Sequence, residues 1–224
     1  MRFSAELQSR AKAVLDSNAC VVVIEDDPEF RESLGRLLRS AGLHSRLFAS
    51  IADFLGYEPL DTPTCLVLDV RLPGRSGLDF QRDLAATGVV LPIVFITGHG
   101  DIPMSVQAMK SGAIEFLTKP FRDQDLLDAV NIGLARDRAR RENEEALSAF
   151  KARFEALTER ERMILLQVAM GRLNKQIAGD LGITETTVKV HRSNAMRKLG
   201  ASSLAKLCRM MDKLKLLPEN SEPF

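Results

Sequence analysis

Cysteine is scarce: Cys20, Cys65 and Cys208 are the whole complement of the 224 residues, and they lie far apart. Three scattered thiols argue against a disulfide framework or a zinc site and point to a reducing cytoplasm. At least two of them are expected in strands or helices as small apolar side chains. Long apolar runs are also absent. No stretch approaches the roughly 18–20 residues needed to cross a bilayer, so no membrane association is expected. The N-terminus has no apolar core followed by a small-residue cleavage site, and no signal peptide is expected. A glycine-rich nucleotide loop of the G-x-x-x-x-G-K-[ST] kind is missing, which argues against ATP hydrolysis. No cysteine or histidine cluster accompanies His44, His99 or His191, so a packed or phosphate-touching His191 is favoured over a metal ligand.

What is present is the profile of a soluble globular chain, 45% hydrophobic and 27% charged, long enough for two domains. The net charge of +1 conceals an asymmetry. Residues 19–133 hold 10 Lys/Arg against 16 Asp/Glu, whereas residues 151–217 hold 14 against 6. The reversal of sign suggests an acidic regulatory part and a basic part that meets a polyanion.

Residues 1–18 carry no motif and read as an extension, with a short helix from Ala5 to Leu15, or as a disordered segment. From Ala19 short apolar runs alternate with helical spacing: Ala19–Ile24, Leu43–Phe48, Cys65–Val70, Leu91–Ile96 and Ala113–Leu117 are the runs. Phe30, Leu34, Leu37 and Leu38, and later Leu126, Leu127, Val130 and Leu134, carry the helical spacing. This is the pattern of βαβ units: a doubly wound, five-stranded parallel sheet over residues 19–135. Residues 136–153 alternate in charge, with Asp137 and Arg141 four apart, and read as a solvated helical linker. Leu147, Phe150, Phe154 and Leu157 then recur at helical spacing, fit to pack on the second domain or to form a partner-binding seam. Residues 154–217 read as an all-α domain, and 218–224 as a tail. There Thr158-Glu-Arg-Glu161 fits a capping box. Asn174 is expected to cap a helix through Leu181, Gly182-Ile183 to turn, and Thr184 to cap a helix to about Leu199. A last helix is expected from about Ser202 to Leu216.

Open parallel sheets bind ligands at the carboxyl ends of their strands. Those ends hold Glu25-Asp26-Asp27, then Asp69, then Thr97-Gly98, and the fifth leads to Lys119-Pro120. Carboxylates gathered there repel one another unless a hard cation sits among them, and magnesium (Mg2+) suits oxygen ligands. A lysine and a hydroxyl opposite would stabilise a transferring phosphoryl group, with Asp69 able to take phosphate covalently. In the basic part, Val188, Ala195 and Leu199 share one helical face and should pack inward. Thr186, Val190, Ser193 and Arg197 lie opposite with Lys189 on the flank, a mixture suited to reading bases and phosphates from the major groove. Arg192 falls nearer the inward face, at the edge of that surface. A basic helical domain that binds protein is the alternative.

Residues 20–134 resemble response-regulator receiver domains. The resemblance rests on Val21-Val-Val-Ile-Glu-Asp-Asp27, Leu66-Val-Leu-Asp-Val-Arg-Leu-Pro-Gly74, Phe95-Ile-Thr-Gly-His-Gly-Asp101 and Glu115-Phe-Leu-Thr-Lys-Pro-Phe121. Downstream, Leu157-Thr-Glu-Arg-Glu161, Gly171-Arg-Leu-Asn-Lys-Gln-Ile-Ala178, Leu181-Gly-Ile-Thr-Glu-Thr-Thr-Val-Lys-Val-His191 and Met196-Arg-Lys-Leu-Gly200 look like the LuxR-type helix-turn-helix domain. Together they resemble the FixJ-type two-component regulators, with a flavodoxin-like receiver ahead of the DNA-binding domain. By that resemblance Asp69 is the phosphoacceptor, Thr97 the phosphate-sensing hydroxyl, Lys119 the ion-pairing lysine and Phe116 the aromatic that turns inward on activation. Lys119-Pro120 resembles the family's cis peptide. Arg31, matching a frequent family arginine, places the acidic pair at Glu25 and Asp26 and leaves Asp27 outside it; Asp27 nearer the metal would shift that register by one. Asp26, Asp69 and the Arg71 backbone carbonyl would then bind Mg2+, with Glu25, one methylene longer than the usual aspartate, acting through water.

The resemblance implies a phosphoprotein and transcription regulator. Its expected partners are a sensor histidine kinase, double-stranded DNA and RNA polymerase, with a homodimer formed on phosphorylation. His99, two residues past Thr97, is placed to border the pocket and tune phosphate lifetime. A phosphohydrolase reading fits less well, because Arg71 stands where a D-x-D enzyme carries its acid; slow autodephosphorylation alone is expected. A receiver that mediates protein contacts without phosphorylation is the remaining alternative.

Overall fold

The structure is a computed structural model describing residues 19–58, 61–98 and 102–216. Cys20–Ile24 (β1) and Thr64–Asp69 (β3) are buried along their whole length, as strands covered on both faces must be, and apolar side chains fill nearly every position. His44–Phe48 (β2) keeps exposed and half-buried positions, which suits the sheet edge. Ile93–Thr97 (β4) and Glu115–Thr118 (β5) complete one parallel sheet in the order β2-β1-β3-β4-β5. Register pairs Cys20 with His44 and Thr64, Leu66 with Ile93, and Val94 with Glu115. The order reverses direction between β1 and β3, so a crevice opens at their carboxyl ends.

Alternate side chains feed two cores. Val21, Val23, Val67 and Val94 pack under Pro28–Ser40 (α1) and the start of Asp123–Glu155 (α5), through Leu34, Leu38, Leu126 and Val130. Val22, Ile24, Leu66 and Leu68 face the other way, toward Ile51–Leu55 (α2), Gly77–Ala86 (α3) and Ile102–Lys110 (α4). Cys20 and Cys65 are buried in β1 and β3 as small apolar side chains, and burial pushes the Cys65 thiol up to about 12.

Residues 136–153 continue helix α5 and are mostly exposed, as a solvated helical linker should be, but the turn that begins at Asp137 departs from that reading. Asp137 is fully buried. Its carboxylate accepts from the Thr64 amide at 2.9 Å and from Arg140 Nε and Arg141 Nε at 2.9 and 2.8 Å. The spacing of Asp137 and Arg141 is visible in the sequence, but the third partner lies 73 residues earlier, at the foot of β3. The chain divides into two compact units between Arg141 and Glu142.

In the second unit Phe150, Phe154 and Leu157 join Leu165, Leu199, Leu207 and Met211 in one core, which accounts for their helical spacing. Thr158 caps Glu159–Ala169 (α6): Glu161 N donates to Thr158 Oγ1 at 3.3 Å, and Thr158 N donates to Glu161 Oε2 at 3.0 Å. Lys198 binds the same Glu161 oxygen at 2.7 Å. Asn174–Leu181 (α7) and Glu185–Leu199 (α8) flank Gly182, whose φ of 61° is a left-handed conformation that glycine adopts most readily. Asn174 does not cap α7 as expected. It is already helical, the cap position falls on Leu173, and Gln176 Oε1 takes the Leu173 amide at 2.9 Å. Thr184 does cap α8, accepting from Thr187 N at 3.1 Å. The last helix, Leu204–Lys213 (α9), is shorter than expected because Ser203 caps it and Leu214 ends it. Cys208 lies within it. Among the described residues no helix is long and apolar enough to cross a membrane. The expectations for residues 1–18, His99 and the C-terminal tail from Pro218 fall outside the described residues.

Two stability consequences follow from these buried charges. Asp137→Ala leaves the Thr64 amide and two guanidinium groups without their shared acceptor, and should cost about 3 kcal/mol in urea unfolding. Asp137→Asn, which keeps an acceptor for Thr64, should cost less; equal stability of all three proteins would contradict the arrangement. In the second unit the Lys198 ammonium, with the Thr158 cap, holds Glu161 below its ordinary value. A lowered carboxylate contributes stability above its unfolded value and loses it as pH falls through the folded one. Glu161→Gln should therefore lower stability by about 1 kcal/mol at neutral pH, and the deficit should vanish in acid below the ordinary glutamate range.

Candidate functional site

The crevice is lined by what each element delivers at its carboxyl end. Glu25 and Asp26 follow β1, and Asp69 is the last residue of β3. One carboxylate oxygen from each of the three lies within 4.8 Å of the others. Asp27 is not part of the set: its Oδ1 accepts from the amides of Glu29 and Phe30 at 2.9 and 3.0 Å, capping α1. Arg31 NH1 holds the adjoining backbone, reaching the carbonyls of Glu25 at 2.6 Å and Asp26 at 3.1 Å. Glu25 and Asp26, rather than Asp27, therefore stand with Asp69 at the crevice.

Lys119, one residue past β5, places Nζ 2.7 Å from Glu25 Oε2 and 2.8 Å from Asp69 Oδ2. Its amide donates to Thr97 O at 2.8 Å, and the Lys119-Pro120 peptide is cis, as the resemblance implied. Asp69 Oδ1 accepts from the Arg71 amide at 2.8 Å, so both oxygens of this carboxylate are oriented. Gly77, at the start of α3, lets that helix close on the strand end: a Cβ there would stand 2.5 Å from the Asp69 carbonyl oxygen. Glu25 is 1% exposed, Asp69 5%, and Asp26 is open to solvent.

Three carboxylates against one ammonium leave the crevice with surplus negative charge. Burial pushes Glu25 up to about 7; Lys119 opposes that shift, and Asp69 adds to it. Burial alone would lower Lys119, but its bonds to Asp69 and Glu25 prevail and raise it. An all-oxygen donor set, partly open through Asp26 and short of positive charge, fits a small hard divalent cation.

Thr97 ends β4 and is fully buried, while Phe116 in β5 is half-buried with its ring centroid 6.2 Å from that of Phe95. The sequence reading did not single out Phe30. It appears there only as one of a helix's spaced apolar positions, yet its ring lies under Lys119 Nζ at 4.2 Å from the centroid. Gly77 was likewise missed, since no local pattern marks a close approach between a helix and the strand before it.

In the second unit, Val188, Ala195 and Leu199 of α8 are buried, and Thr186, Lys189, Val190, Ser193 and Arg197 are exposed. Lys189 pairs with Glu185 at 2.9 Å and Arg197 NH2 lies 3.2 Å from Asn194 Oδ1; both are surface contacts of small worth that a phosphate could replace. Arg192 is half-buried, with NH1 3.4 Å from Asn174 Oδ1.

Comparison with known proteins agrees with both halves of this geometry. Residues 21–131 match the response regulator receiver domain, and residues 155–211 match the bacterial regulatory proteins of the luxR family. Nodulation protein W of Bradyrhizobium diazoefficiens is 50% identical over 206 residues, 92% of this chain and 91% of that protein. The transcriptional regulatory protein FixJ of Azorhizobium caulinodans is 46% identical over 191 residues, 85% and 90% of the two chains. Among solved structures, the response regulator StyR is 49% identical with a TM-score of 0.74, covering 88% of this chain and 99% of its own. Full-length FixJ from B. japonicum is 35% identical with a TM-score of 0.52, covering 90% and 98%. An oriented aspartate among acids and a lysine, followed by a basic helix-turn-helix unit and matched along most of the chain, places this protein in the response-regulator family, as a transcription regulator that joins a receiver to a LuxR-type DNA-binding domain.

Proposed function

We propose that Asp69 accepts a phosphoryl group from a sensor histidine kinase and that this event controls DNA binding. The observation that carries the reading is the convergence of Asp69 with Glu25, Asp26 and Lys119 at one strand-end crevice. An Asp69 carboxylate oxygen bonds to phosphorus while the P–N bond of the donor phosphohistidine breaks; the imidazole keeps the bonding pair and takes up a proton. The Arg71 amide holds Asp69 Oδ1, leaving the oxygen beside Lys119 for attack. Lys119 then pairs with a phosphoryl oxygen instead of with the free carboxylate. Asp26, Asp69 and the Arg71 carbonyl would hold Mg2+, with Glu25 acting through water. When bound, the ion neutralises phosphoryl oxygens as charge gathers on them. Water attacks the acyl phosphate only slowly, because no carboxylate stands at Arg71 to act as acid.

Phosphorylation adds charge beside Thr97, whose hydroxyl turns to it and vacates space for Phe116. The two-state population shifts, and the face formed by α4, β5 and α5 changes shape. That face dimerises, and two copies of α8 engage paired half-sites on double-stranded DNA. Thr186, Val190 and Ser193 meet base edges, Lys189 and Arg197 meet bases or phosphates, and Arg192 meets a phosphate at the edge of the surface. Contact with RNA polymerase follows, in the cytoplasm.

Two measurements test this. Asp69→Asn should take up no acid-labile phosphate from a small phosphodonor, and label persisting in that variant would end the proposal. For the DNA half, Lys189→Ala and Arg197→Ala should each weaken operator binding and reduce the salt dependence, log K against log salt, by about 1 where the side chain meets a phosphate. Unchanged affinity and slope in both would move the DNA surface elsewhere.

A further inference from the structure

We propose that Phe30 is a positioning residue for phosphoryl transfer: its aromatic face holds the Lys119 ammonium in the crevice, toward Asp69. The inference rests on Asp69 being the phosphoacceptor. An ammonium has three N–H donors. Two are used by Glu25 and Asp69, at 2.7 and 2.8 Å. The ring centroid of Phe30 lies 4.2 Å from Nζ, within the range in which a cation is attracted to an aromatic face.

The ring is fixed from two directions. The Phe30 amide is tied to Asp27 Oδ1 at 3.0 Å in the capped first turn of α1. Phe121, two residues past Lys119, meets the ring edge-on with centroids 6.1 Å apart and planes at 77°. The lysine and the residue that braces its aromatic support therefore arrive on one short segment after β5. Lys119 is only 20% exposed at its side chain, so solvent competes weakly for the ammonium. The arrangement matters most during transfer. When the Asp69 oxygen leaves Lys119 to bond phosphorus, the lysine gives up one of its two anionic partners. Without the ring the four-carbon stem could swing outward to water; with it, the ammonium stays where a phosphoryl oxygen arrives.

Plain packing would be an alternative role, since Phe30 also lies against the core under α1. Packing asks only for an apolar side chain of suitable volume, whereas the proposed role requires electron density on the ring face. Substitution of residue 30 in the full-length protein separates the two. The readouts are the initial rate of acid-labile phosphate incorporation from acetyl phosphate with Mg2+, and the proton shifts of the Lys119 ε-methylene in the metal-free protein. Phe30→Tyr should retain the wild-type rate and the upfield ring-current shift. Phe30→Leu should lose the shift and slow incorporation about three- to tenfold. A series of ring-fluorinated phenylalanines at position 30, close in shape but progressively poorer in face charge, should slow incorporation in order of fluorine number. Rates that stay level or rise along the fluorine series, or a Lys119 shift unchanged in Phe30→Leu, overturn the role of Phe30 while leaving Asp69 as acceptor. A wild-type protein that takes no phosphate from acetyl phosphate overturns both.

Discussion

Two carboxylates from different strands share one ammonium, and the rest of the first domain can be read as the means of holding that triangle. Glu25 leaves β1, Asp69 ends β3, and Lys119 follows β5. They meet because the sheet runs in the order β2-β1-β3-β4-β5, which sets β1 beside β3 and brings every carboxyl end to one side. Smaller features adjust the fit. Arg31 grips the two carbonyls after β1, the Arg71 amide orients Asp69, and Gly77 allows α3 to close on the strand end. With Asp26 added the triangle is short of positive charge. That deficit is what a cation and then a phosphoryl group, held through it, can exploit.

Much of this was legible in the residues because the relevant signals are local. Fully apolar runs such as Cys20–Ile24 mark strands buried on both faces, and the residue closing each run names a strand-end side chain without any knowledge of distances. The inward face of α8, Val188 with Ala195 and Leu199, followed from helical period alone. What stayed hidden depended on partners remote in the chain. Asp137 read as a surface charge because its third partner, the Thr64 amide, lies 73 residues earlier at the foot of β3. Phe30 looked like one more spaced apolar residue because its cation comes from a segment 89 positions away. Asn174 failed as a cap for a subtler reason: Gln176 can satisfy the Leu173 amide from inside the helix, so the boundary moved by one residue.

The two units solve the problem of burying charge differently. In the first, ionic groups enter the interior where several partners can reach them, around Lys119 and again around Asp137. In the second, Glu161 is the one buried charged side chain among the described residues, tied to Thr158 and Lys198, while most of the basic excess stays at the surface. A surface charge of that kind contributes little to folding and is available to a polyanion. The acidic half draws a few of its charges into shared networks, and the basic half leaves most of its charges on the surface.

The buried Asp137 carries a lesson for how such a protein can be divided or recombined. An isolated first domain ended at residue 135, where the last spaced apolar residue invites a cut, would lack the carboxylate that the foot of β3 relies on. A chimera that grafts a foreign output domain at the same place would meet that loss too. The natural unit of exchange extends through Arg141, so any shuffling of this receiver among regulators must carry the first two turns beyond its hydrophobic core along with it.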